Sequence, residues 1–264
     1  MIIEANYISK IEKLLNSDDE VNHVIAFQIM SEMGAPIDLY PIMTNQTSKM
    51  QLCMQYGFRN VIAKRRVYMP DEFVLTTICI ELSLPYGTPL RYQDLWRLEK
   101  LQIPEYPLRN HFTFGLEDDA TCLDGLQFAT QLKELSIVNH EMDKSELTVL
   151  QHLTNLEILK LKGISLEVFR MKNIQNWKPI GHLLQLKELH LVDCQLEDLA
   201  FLPKSMSQLE HLNLQHNHIT NLIGLIDNPA IQYCQLDVRN NPLNANDLPW
   251  QLECLKMRKV EVLY

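Results

Sequence analysis

Glu188, His190 and His211 are the residues whose types would do chemistry together if neighbouring strands place them side by side. A carboxylate with two imidazoles can hold a divalent metal or relay a proton. His211, His216 and His218 form a second tight series among the nine histidines. A regular strand array, however, lines up columns of side chains by geometry alone, so proximity is expected without chemistry. The sequence has no glycine-rich phosphate loop, no HExxH, no GxSxG and no cysteine in a nucleophile motif, and it holds only eight glycines. The six cysteines (Cys53, Cys79, Cys122, Cys194, Cys234, Cys254) show no CxxC pair or metal-ligand spacing and read as reduced, buried thiols. The expectation is no catalytic residue, no metal and no cofactor, with His216 and His218 as solvated turn side chains.

What positions such residues is an internal repeat. The pattern LxxLxL recurs at Leu132-Leu135-Ile137, Leu156-Leu159-Leu161, Leu186-Leu189-Leu191 and Leu209-Leu212-Leu214, then more weakly at Tyr233-Leu236-Val238 and Met257-Val260-Val262. A degenerate leading copy is expected from Arg109, with Phe112 and Phe114; successive starts lie 23, 24, 30, 23, 24 and 24 residues apart. Each unit supplies one short strand whose apolar residues it cannot bury alone, so units must stack. Three residues after the last apolar position a polar residue turns the chain, a role that suits Asn because its side chain bonds nearby backbone. Asn217, Asn241 and Cys194 hold that place, with His140 and Ile164 in the first two full repeats. Ile219, Leu222 and Leu225 supply apolar residues to the convex side.

These units resemble the bacterial leucine-rich-repeat proteins of the internalin-like short-repeat type, whose units are about 22 residues long. Leu123-Asp124-Gly125-Leu126-Gln127-Phe128-Ala129-Thr130-Gln131-Leu132 is similar to that family's lead-in "L-x-G-L-x-x-x-T-N-L". Met69-Pro70-Asp71-Glu72, followed by Ile78, Leu82 and Tyr92-Gln93-Asp94-Leu95, is similar to its helical cap. The fold class expected is α/β: a leucine-rich-repeat solenoid with parallel strands on its concave side and a short helical or irregular convex side, preceded by a small helical domain. The expected division is a helical domain over 1–68, the solenoid's helical cap over 69–108 and the repeats over 109–264. Glu4, Lys10, Glu12 and Lys13 interrupt what an export signal would keep apolar. Unlike exported internalins, the protein is therefore expected to be non-secreted and cytoplasmic.

In the first 68 residues, Ser17-Asp18-Asp19-Glu20 matches a capping box, with Val21, Val24, Ile25 and Ile29 following at helical spacing and Gly34 placed to end the helix. Ile8, Ile11, Leu14 and Leu15 predict a helix before it, and Met50 to Tyr56 one after it, closing at Gly57. These apolar stripes are expected to form a core, or else a docking face for a partner helix.

The net charge of -9, with Lys64-Arg65-Arg66 as the richest basic run, argues against nucleic acid as a partner. No stretch approaches the roughly 18 apolar residues of a membrane span. A protein partner remains, its identity unwritten, docking on the concave sheet by complementarity and without catalysis. Alternation along the strands puts Thr113, Ser136, Lys160, His190, Asn213, Asp237 and Glu261 in a middle column. The flanks are His111, Glu134, Ile158, Glu188, His211, Gln235 and Lys259 on one side, and Gly115, Val138, Lys162, Val192, Gln215, Arg239 and Leu263 on the other. The expected contact residues are His111, Glu134, Ser136, Lys160, Lys162, Glu188, His190, His211, Asn213, Gln215, Gln235, Asp237 and Arg239. Trp177 joins them from the longer repeat's insertion, around Phe169 to Pro179 with Arg170 and Lys172, either as a loop hot spot or packed over the convex core. Two alternatives stand beside this reading. One is an enzyme or effector whose activity sits in the helical domain while the repeats select its substrate. The other is a homodimer formed through the last strand's edge, which Lys256, Arg258, Lys259 and Glu261 would otherwise blunt.

Overall fold

The computed structural model describes residues 2–63, 65–105, 121–140, 142, 146–164 and 174–264. The chain divides into two compact units, Met1–Val67 with Arg91–Gln93, and Tyr68–Leu90 with Asp94–Tyr264.

The first unit is helical: α1 Ile2–Leu15, α2 Glu20–Met33, α3 Tyr40–Met43, α4 Thr47–Gln55 and α5 Arg59–Ile62. Asp19 caps α2, its carboxylate accepting the Val21 amide at 3.0 Å. The cap was expected at Ser17. That hydroxyl instead accepts the Asp19 amide at 3.1 Å and the Asn22 side-chain amide at 2.9 Å, shaping the turn that leads into the helix. Gly34, at φ 90°, ends α2 where a side chain would be strained. The expected core stripe is the larger correction: α2 buries His23, Ala26, Phe27 and Met30 and leaves Val21, Val24 and Ile25 in solvent. Phe27 decides this orientation, because its ring meets Tyr56 and Phe58 at centroid distances of 6.2 and 6.1 Å. Aromatic burial outweighs that of the smaller aliphatic residues. The chain returns to this unit at Tyr92, which is 2% exposed, its amide bonding the Arg65 carbonyl and its hydroxyl meeting Met50 Sδ at 2.9 Å.

The second unit is the solenoid. Its seven strands are β1 Lys100–Ile103, β2 Glu134–Val138, β3 Ile158–Lys162, β4 Glu188–Val192, β5 His211–Asn213, β6 Gln235–Asp237 and β7 Glu261–Leu263. They form one parallel sheet in sequence order. Register is continuous: Leu101, Leu135, Leu159, Leu189, Leu212, Leu236 and Val262 stand opposite one another. The first six are fully buried. Helix α6 (Glu72–Glu81) packs against β1 and covers that end of the core. It is capped by Asp71, which accepts the Phe73 and Val74 amides through Oδ1 and the Cys122 amide through Oδ2. A short α7 (Tyr92–Leu95) precedes β1, and among the described residues the convex side carries α8 (Glu146–Leu150), α9 (Ile223–Ile226), α10 (Leu248–Met257) and 3₁₀ turns.

The strand that pairs with β2 is β1, and the leading copy expected from Arg109 lies outside the described residues. The place beside β2 belongs to residues 100–103, because Leu98, Leu101 and Ile103 are themselves an LxxLxL triplet and are buried. Residues 109–115 lie outside those described. The weak repeats also differ. Tyr233 is turned out at φ 57°, with Lys259 Nζ 4.9 Å over its ring, and Met257 is exposed. Buried Ile231, Cys234 and Val260 fill the core there instead. The last strand slips by two residues, Val262 in place of Val260 facing Leu236, because α10 extends to Met257 and the turn through Lys259 must follow it.

The turn column explains how units are joined. Just before it, Asn139, Gly163, Asp193, His216 and Asn240 all take positive φ, between 54° and 62°. At Gly163 a Cβ would collide with Asn139 Oδ1. Asn217 is buried, and its amide nitrogen donates to the Leu191 carbonyl of the previous unit at 2.7 Å and to Leu214 at 2.9 Å, while its oxygen accepts the Cys194 and Leu196 amides. Asn241 repeats this, donating to Leu214 and Val238 and accepting from Ile219. Cys194 reaches back to the Leu161 carbonyl through Sγ, and His140 to the Pro104 carbonyl through Nε2 at 2.8 Å. Ile164, buried in the same column, has no side-chain donor to offer. Asn217→Ala would orphan two buried amides and take the Asn217 donor from the Leu191 carbonyl, whereas the Leu214 carbonyl keeps Asn241. We expect it to lower stability by about 2–4 kcal/mol, read as a drop in the urea midpoint.

Candidate protein-binding face

The strand register builds the face directly, since alternate side chains of a strand point to opposite sides of a sheet. Inward leucines leave three outward columns. One flank reads Lys100, Glu134, Ile158, Glu188, His211, Gln235 and Glu261; the middle reads Gln102, Ser136, Lys160, His190, Asn213, Asp237 and Leu263. The other flank runs through Val138, Lys162 and Val192 and, just past the shorter strands, to Gln215 and Arg239. The sheet thus brings together Glu134, Ser136, Lys160, Lys162, Glu188, His190, His211, Asn213, Gln235 and Asp237 from the sequence-derived set.

Three assignments change. His111 lies outside the described residues, and the place expected for it, opposite Glu134, is taken by Lys100, with Gln102 opposite Ser136. Trp177 is 6% exposed and packs its ring 6.2 Å from that of Phe201, within the 3₁₀ segment Ile174–His182. It belongs to the core of the long repeat and offers no surface hot spot; Arg170 and Lys172 lie outside the described residues. Glu261 and Leu263 each move one column over, as the two-residue slip of β7 requires. Lys100 and Gln102 are the positions on this face that the repeat pattern missed, although the triplet Leu98-x-x-Leu101-x-Ile103 carried their signal.

Charge on this face is largely settled internally. Lys100 Nζ lies 2.9 Å from Glu134, Lys160 Nζ lies 3.9 Å from both Glu134 and Glu188, and His190 Nε2 lies 3.4 Å from Glu188. Together they form a chain across β1 to β4. A second cluster sits at β6, where Asp237 accepts from Gln215 Nε2 and from the Arg239 guanidinium, with Arg239 Nη2 at 2.6 Å. Burial pushes the Asp237 carboxyl upward, but the Arg239 and Gln215 hydrogen bonds and the Arg239 charge outweigh it and hold the group below the usual carboxylate range. Along the lip before the strands, Glu99, Lys133, Glu157, Lys187 and Glu210 alternate in sign, with Lys133–Glu99 at 3.1 Å and Lys187–Glu157 at 2.7 Å. The Lys187 hydrogen bond holds Glu157 low, and the same bond holds Lys187 high. As exposed pairs they set geometry more than stability. Among the described residues no three His, Cys, Asp or Glu side chains converge as metal ligands, and no disulfide joins any of the six cysteines. No helix of the described residues is long and apolar enough to cross a membrane.

His190 titrates below the ordinary imidazole range; burial is the main cause, reinforced by the Lys160 and His211 charges and opposed by Glu188. A histidine whose folded value lies below its unfolded value, about 6.5, contributes stability that is complete above that pH and is lost as pH falls through the folded value. His190→Gln is therefore expected to flatten the loss of stability between about pH 7 and pH 5, measured as urea midpoints across that range.

No known family profile matches the sequence, and no curated relative matches it. Solved structures do. An internalin C2 from Listeria monocytogenes is 23% identical with a TM-score of 0.53, aligning 77% of this chain with 76% of that one. An internalin, inlF, from the same organism is 16% identical with a TM-score of 0.49, over 74% of this chain and 55% of that one. A leucine-rich-repeat protein from Leptospira interrogans is 20% identical with a TM-score of 0.46, over 67% and 40%. The first likeness is one of fold, and with the seven-stranded parallel sheet it makes this chain a leucine-rich-repeat solenoid preceded by a helical region.

Proposed function

We propose that this chain is a protein-interaction module whose partner docks on the concave sheet and is held by surface complementarity, without chemistry on either chain. The observation that carries the reading is the cross-strand chain Lys100, Glu134, Lys160, Glu188 and His190. Side chains already fixed by their neighbours lose less freedom when a partner arrives, so the face is preorganised for recognition. Its chemistry favours a selective polar contact: acids and bases interleave, and half-buried Val138, Ile158 and Val192 supply apolar contact between them. Lys162 is an exposed cation outside the ion pairs of the described residues, and it stands between Val138 and Val192. That makes it a ready anchor for a partner carboxylate. Six cysteines outside any disulfide fit a reducing compartment, which supports a cytoplasmic site of action.

Capture from the source organism's lysate tests this, with the intact chain compared against a Lys160→Ala, Lys162→Ala and His211→Ala variant whose folding is checked by circular dichroism. A protein retained by the former and lost by the latter is the expected result. Equal retention by both puts the interaction elsewhere and removes the concave face as the site.

A further inference from the structure

Helix α2 carries apolar residues on two opposite faces. One face holds His23, Ala26, Phe27 and Met30 and is buried. The other holds Val21, Val24 and Ile25, which are 61%, 39% and 40% exposed and adjoin one another at i, i+3 and i+4. A helix apolar all round is ordinarily enclosed on every side. Single exposed hydrophobic residues need no explanation, but these three are contiguous. All are β-branched, a class that a solvent-facing helix position disfavours, because it restricts their χ1 freedom against the preceding turn. Neither helix propensity nor the unit's own core accounts for them.

Charge indicates what covers this face. Along the helix the stripe is bracketed by Asp18 one turn before Val21 and by Gln28 and Glu32 after Ile25, with Glu20 beside it, and all four are exposed. Asp18, Glu20 and Glu32 enter no ion pair among the described residues. α2 has no Lys or Arg, and its one histidine faces the core. A second copy of the chain fits poorly. Antiparallel pairing of two α2 helices sets Asp18 and Glu20 against Glu32, and parallel pairing sets each acid against itself; like charges repel in both. We propose that the exposed face of α2 docks an amphipathic helix of another protein, apolar at i, i+3, i+4 and i+7 on its contact side and flanked there by Lys or Arg. This surface is distinct from the concave sheet, and its test is independent of the one above.

The experiment challenges the intact 264-residue chain with a displayed library of helix-forming peptides. These are apolar at i, i+3, i+4 and i+7, and their flanking positions are randomised among Lys, Arg, Glu, Asp and Gln. Retained peptides are expected to be enriched in Lys and Arg. The best of them should bind a Val21→Gln, Ile25→Gln variant at least about tenfold more weakly, weaken similarly with Asp18→Lys, Glu32→Lys, and be indifferent to Lys160→Ala, Lys162→Ala and His211→Ala. The substituted positions are exposed and Gln is a better helix former than Val or Ile, so folding is kept and is checked by circular dichroism. Acidic enrichment, no enrichment, or equal binding to the Val21→Gln, Ile25→Gln variant overturns the proposal. So does a dimer in sedimentation that this variant converts to monomer, since a second copy would then hold the face.

Discussion

A strand that presents leucines to one side of a single layer cannot bury them by itself, and everything in the solenoid follows from that deficit. Leu135 is fully buried because Leu101 and Leu159 flank it in register, and those in turn require their own neighbours. Stacking removes the apolar side chains from water, but it leaves backbone groups at every turn that must find partners in a dry interior. Asn217 and Asn241 answer both needs at once. Each ties its own turn together and reaches back to a carbonyl of the unit before it. His140 and Cys194 reach back in the same sense with different chemistry.

The concave face is a by-product of that stacking and owes its order to it. Strands held in exact lateral alignment would place any side chains in columns; here the columns carry complementary charges, so neighbouring units stabilise each other's rotamers. The alternating lip of Glu99, Lys133, Glu157, Lys187 and Glu210 follows the same rule one residue earlier in each unit. Strand pairing thus fixes which side chains meet, and the chosen residues make those meetings attractive. The helical unit works differently. There α2 is oriented by one aromatic anchor, Phe27, and its other apolar face is left to the surroundings.

Much of the solenoid was legible because leucines at a fixed period admit few other readings: β2 to β6, five strands, lie where the repeats place them, and β7 is displaced by two residues. The misreadings have separate physical origins. The strand at Lys100–Ile103 stands 34 residues before β2, well outside the 23–30 residue period, and Arg109 with its two phenylalanines offered a more regular start. Tyr233 matched the pattern by hydrophobicity, but Ile231 and Cys234 already fill that part of the core, and the ring turned out to lie under Lys259. For Trp177, a position in an insertion says nothing about which side chain folds back; Phe201 supplies the contact, and no local signal announces it. In α2, two apolar faces compete, and periodicity cannot rank them. The pairing of Phe27 with Tyr56 and Phe58 is a tertiary fact. Surface columns were readable almost completely, since alternation follows once a strand is located.

The turn column divides the solenoid into two chemistries with different tolerances for change. Its early places hold His140, Ile164 and Cys194, beside β2, β3 and β4, which run five residues each; its late places hold Asn217 and Asn241, beside β5 and β6, which run three. Backbone bonds continue past the strands in both halves, Asn139 donating to the Lys162 carbonyl and His216 to that of Arg239. What differs is the side chain laid over them: each late asparagine both donates and accepts, whereas the early thiol and imidazole each reach back to one carbonyl of the unit before, and Ile164 to none. Exchange of a residue in the late places therefore breaks more joints between units than the same exchange in the early ones.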